Sequence, residues 1–76
     1  MDKDIFTKMA EKWPSALVAR TEIKKFTGGL IAPATMKNLD SLGKGPKTRV
    51  LSGKKVAYDV DGLIEWLRKY CKVKTS

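Results

Sequence analysis

The sequence predicts a small α+β domain, mainly α: a winged helix-turn-helix with an extra N-terminal helix and a two-stranded β-hairpin wing. Three observations predict it. Two helix-forming segments flank the pair Gly28-Gly29, and Pro33 opens the second of them. That second segment, Pro33–Leu42, places Ala34, Lys37, Asn38 and Ser41 at i, i+3, i+4 and i+7. Met36 and Leu39 lie opposite, with Leu42 at the edge. Two β-prone runs, Thr48–Leu51 and Lys55–Tyr58, then surround Ser52-Gly53-Lys54. The 76 residues allow one domain, 1–76, with a small core.

Composition narrows the class. With 42% hydrophobic and 32% charged residues the chain is globular in character. No apolar run approaches the roughly 20 residues that span a bilayer, and MDKDIF does not begin a signal peptide. Cys71 is the single cysteine and histidine is absent, which excludes an internal disulfide and leaves no credible zinc set. A cytoplasmic, nucleoid-associated protein with no membrane partner and no cofactor is expected. No thiol–base pair, P-loop or paired-carboxylate motif is present, so an enzyme is not expected.

Net charge is +8, and its distribution is uneven. From Lys37 to Lys55 the charged residues are Lys37, Asp40, Lys44, Lys47, Arg49, Lys54 and Lys55, only one of them acidic. A polyanion partner fits this concentration better than a merely soluble surface does.

Taken in order, residues 2–13 form a first helix, capped by Asp2 or Asp4, with Phe6, Met9, Ala10 and Trp13 as its core stripe. Pro14 ends it. Ser15–Ala19 is a short strand. Thr21–Phe26 is a second helix with Ile23 and Phe26 inward, and Arg20 at its start can meet a phosphate. Leu30 and Ile31 tuck under the glycine turn. Ala32 is a poor N-cap for the next helix, and the Thr35 hydroxyl partly compensates. In the hairpin, Val50 opposite Val56 puts Thr48 and Tyr58 on the core face, and Arg49, Leu51, Lys55 and Ala57 on the other. The last helix runs from about Gly62 to Lys72, capped by Asp61, with Val60, Leu63, Ile64, Leu67 and Cys71 at core spacing. Arg68, Lys69, Lys72 and Lys74 suit the negative end of its dipole.

The succession TEIKKFTGG, APATMKNLDSLGKGP, KTRVLSGKKVAYD and DGLIEWLRKY resembles the small AlpA-like and excisionase-like winged-helix proteins of phages and integrated elements, within the MerR-like group. The resemblance covers residues 17–70 and departs from the family pattern at Ala32 and Pro33. It implies double-stranded DNA as partner, with the helix at 33–42 in the major groove and the hairpin at 48–58 as the wing. Ala34, Lys37, Asn38 and Ser41 become base-side candidates, and Thr35 is a further DNA-binding candidate. Lys44, Arg49, Lys54 and Lys55 become backbone or minor-groove candidates, with Arg20 at a phosphate. The implied role is an excisionase, or recombination directionality factor, with an integrase partner, or an AlpA-like transcriptional regulator. Self-association on DNA would extend the footprint. Two alternatives stand beside it: a small-terminase packaging adaptor, which a stable ring in solution would mark, and a protein–protein module, for which an exposed Leu51 would be the support.

Overall fold

The computed structural model describes residues 4–72. It is an α+β arrangement of four helices and one three-stranded antiparallel sheet. The order is α1 (Ile5–Lys12), β1 (Leu17–Ala19), a 3-10 turn (Arg20–Glu22), α2 (Ile23–Phe26), α3 (Pro33–Ser41), β2 (Arg49–Ser52), β3 (Lys55–Asp59) and α4 (Val60–Tyr70). Expectations for Asp2 and Lys74 lie outside the described residues. No described helix is long and apolar enough to cross a membrane.

Asp4 caps α1: its Oδ1 accepts from the Thr7 N–H at 2.9 Å. The Phe6, Met9, Ala10 and Trp13 stripe packs half-buried on the core. Arg68 fastens the helix to α4, reaching Asp4 at 3.1 Å and the Thr7 hydroxyl at 3.1 Å, with its guanidinium 5.4 Å from the Phe6 ring centre. Trp13 meets Phe26 edge-on at 5.3 Å and donates its indole N–H to the Leu17 carbonyl at 2.8 Å.

The fully enclosed side chains are Val18, Ile23, Met36, Tyr58, Leu63 and Leu67, one or more from each of β1, α2, α3, β3 and α4. Helices α2 and α3 end alike. Gly28 at φ 66° lets the Gly29 N–H reach the Lys24 carbonyl and the Gly28 N–H reach the Lys25 carbonyl. Gly43 at φ 71° does the same with Lys44 to Leu39 and Gly43 to Asp40. Both are Schellman caps, which need a residue that tolerates positive φ. Thr27 then locks the first turn: its hydroxyl donates to the Ile23 carbonyl at 2.8 Å and accepts from the Ile31 N–H at 3.1 Å. Ile31 is buried as expected. Leu30 is not: it is 68% exposed, because the cap faces it outward. Leu42, expected at the edge of the apolar side, is 67% exposed as the C-cap of α3.

The sheet order is β1-β3-β2, so the SALVA segment does contribute a strand, beside β3. The hairpin register differs by one from expectation. Ser52 pairs with Lys55, Leu51 with Val56, Val50 with Ala57 and Arg49 with Tyr58. Gly53 at φ 58° opens a two-residue Gly53-Lys54 loop in place of the three-residue turn. A one-residue shift moves every β2 side chain to the opposite face. Arg49 and Leu51 thus share a face with Tyr58, while Val50 joins Lys55 and Ala57 on the other. Thr48 lies before the strand. The cap of α4 is also relocated. Asp59 Oδ2, not Asp61, accepts from the Gly62 N–H at 3.0 Å, because β3 runs straight into the helix and Val60 is already its first residue. Asp61 stays in the first turn, where its charge suits the dipole. The helix ends at Tyr70, before Lys72.

Candidate nucleic-acid interface

The α3 stripe projects into solvent. Ala34, Lys37, Asn38 and Ser41 are exposed, Thr35 is half-buried, and Met36 is enclosed on the opposite side. The Ser41 hydroxyl donates back to the Lys37 carbonyl at 3.0 Å, which leaves its oxygen free to accept. Ala32 supplies no side-chain cap, and Pro33 occupies the first turn. The Thr35 backbone N–H bonds to the Ala32 carbonyl at 3.0 Å. Lys44 is exposed beyond the helix, and its carbonyl accepts from the Trp66 indole N–H at 2.9 Å, tying the end of α3 to α4. Trp66 in turn stacks on Tyr70 at 4.6 Å.

Asp40 is the feature that sequence reading missed. It is the lone acid of the basic stretch, and its side chain is only 4% exposed. Its Oδ2 accepts from Arg20 at 2.7 Å and from the Tyr58 hydroxyl at 2.6 Å. Arg20 Nε also donates to the Tyr58 oxygen at 3.1 Å, and Arg49 stands 3.9 Å from the same carboxylate oxygen. One buried charge therefore joins the 3-10 turn, α3, β2 and β3. Among the described residues Oδ1 has no hydrogen-bond partner, and it lies against Gly45, where an added Cβ would collide with it. Burial, then the bond to Asp40, raises the Tyr58 hydroxyl above its ordinary value. The bond to Tyr58, then Asp40, holds the Arg20 guanidinium more firmly protonated. A signal for this network existed: Asp40 stands at i+4 from Met36, on the inward side of the helix.

The network decides where each candidate stands. Arg20 is turned inward to Asp40 and Tyr58, its side chain 22% exposed, rather than outward from the start of α2. Arg49 leans toward Asp40 with its side chain 43% exposed. Lys54 and Lys55 are exposed at the hairpin tip. Lys37 precedes Asp40 by one turn of α3 and is exposed. The surface from Lys37 to Lys55 thus exposes cations while its single carboxylate is hidden and matched. Cys71 is partly buried, which raises its thiol and leaves it poorly nucleophilic. No protein-family model, curated protein or solved structure matches the chain.

Proposed function

We propose that this protein binds double-stranded DNA as a winged helix-turn-helix. In this reading α2 and α3 are the helix pair, α3 lies in the major groove, and the β2–β3 hairpin is the wing. The observation that carries it is the sorting of charge around α3: Lys37, Asn38 and Ser41 face water, and Asp40 is withdrawn against Arg20. Asn38 suits the donor–acceptor pair of an adenine edge, and Lys37 suits guanine acceptors, each worth about 1–3 kcal/mol of discrimination. Lys44, Arg49, Lys54 and Lys55 supply phosphate contacts that set affinity and register without reading sequence. Arg20 serves as the internal brace of the reading helix. A domain this small covers few base pairs, so useful specificity calls for several copies or a partner such as an integrase. The role is that of an excisionase or of an AlpA-like regulator in a mobile element.

Fluorescence anisotropy with a labelled duplex from the ends of the host element tests this. Combined Lys37→Ala and Asn38→Ala should weaken binding by about thirtyfold to ten-thousandfold. Equal affinity in wild type and variant, or no binding at low salt, would overturn it. A second reading has one observation in its favour: Leu51 is 68% exposed on the hairpin and fits a protein-contact module. In that reading no duplex binds at low salt, and Leu51→Ser abolishes the protein contact instead.

A further inference from the structure

We propose that the groove between α1 and the end of α2 docks an acidic amphipathic segment of another protein. The groove measures about 570 Å³. Met9, Trp13 and Phe26 form its apolar walls, and Ile5, 50% exposed, stands at the mouth. These walls are built before any partner arrives. Trp13 is held by its edge contact with Phe26 and by its bond to the Leu17 carbonyl, so an occupant incurs little ordering cost there.

Charge selects the occupant. Lys8, Lys12 and Lys25 line the same groove, all exposed and none ion-paired among the described residues. Among the described residues no carboxylate lines it. The acids of α1 belong to its other flank: Asp4 pairs with Arg68, and Glu11 borders a separate cleft with Asp59 and Asp61. A helix with leucines on one stripe and glutamates beside it would cover the aromatic floor and meet the three lysines. DNA phosphates would meet the lysines and leave the floor uncovered. A second copy would bring another +8 chain against a cationic groove. None of the α3 stripe lines this groove, so the inference stands apart from the DNA reading.

The probe is a labelled helical peptide of roughly four turns, leucines at i, i+3, i+7 and glutamates flanking them. Its controls are the same peptide with serines for leucines, and polyglutamate of equal charge. The full-length chain should bind the probe about tenfold more tightly than either control, since both apolar and ionic contacts contribute. Ile5→Asp, and separately Lys8→Glu with Lys12→Glu, should each lower that affinity about tenfold. All three positions are exposed, and an unchanged circular dichroism melt verifies the fold. Ile5→Asp should leave duplex binding unaltered. Equal binding of all three peptides would overturn the proposal. So would dimerisation that Ile5→Asp abolishes, which would assign the groove to a second copy. A lysine variant that loses duplex affinity while the probe fails to bind would assign it to nucleic acid.

Discussion

Asp40 concentrates the residue-scale physics. A buried carboxylate is tolerable only when matched, and Arg20 with the Tyr58 hydroxyl matches it. Asp40→Ala leaves Arg20 and Tyr58 without their acceptor. A melt followed by circular dichroism should show a loss of about 2–3 kcal/mol, below the range for fully buried pairs because Arg20 is partly exposed. At this size each kcal/mol lowers Tm by roughly 4–8 °C. Tyr58 also sets a pH dependence. Its hydroxyl is raised in the fold above the ordinary 10.0, so the folded state holds that proton more tightly than the unfolded chain. Its contribution is whole below the ordinary value and declines as pH rises from there through the folded value. Wild type should lose stability over this alkaline interval, measured by urea titration, and Tyr58→Phe should flatten that dependence. A slope unchanged by Tyr58→Phe would refute the assignment. Reading residues in sequence order left Asp40 among surface charges, because its partners Arg20 and Tyr58 are distant in the chain. It likewise placed the α4 cap at Asp61, since nothing local distinguishes a strand that passes directly into a helix.

At the scale of elements, glycine turns were the most legible features. Gly28, Gly43 and Gly53 all adopt positive φ where breaks between segments were expected. Gly43→Ala should cost about 1 kcal/mol by forcing a side chain into the left-handed region that ends α3, and the same melt measures it. The apolar stripes of α1 and α4 were legible for the same reason: a helical period repeats over several turns and needs no distant information. Hairpin register was not. A two-residue and a three-residue loop around Gly53 satisfy the same β propensities and differ only in which face Arg49 and Leu51 share. Trp66 is a further case. Its spacing marks it as flanking the core stripe, yet its indole N–H holds the Lys44 carbonyl and so anchors the loop after α3. Removing that bond by Trp66→Phe should loosen residues 43–46, seen as faster amide hydrogen exchange there than in α4.

For the whole molecule, the arrangement separates charge by region. Arg68 neutralises Asp4 across α1 and α4, Arg20 neutralises Asp40, and the described lysines face solvent. In the DNA reading, affinity falls with salt at a log–log slope of about −0.9 per neutralised phosphate, so removing Lys54 and Lys55 should make the slope shallower by about two. Lys37 and Asn38 should instead alter sequence preference. In the DNA reading the outward stripe of α3 and the β2–β3 hairpin meet the duplex together. The most direct measurement is an NMR titration of the full-length chain with a duplex. Amide shifts should concentrate at Ala34, Lys37, Asn38, Ser41 and residues 49–55, with the α1 groove around Ile5 and Trp13 unmoved. Shifts confined to that groove, or none at any duplex ratio, would contradict it.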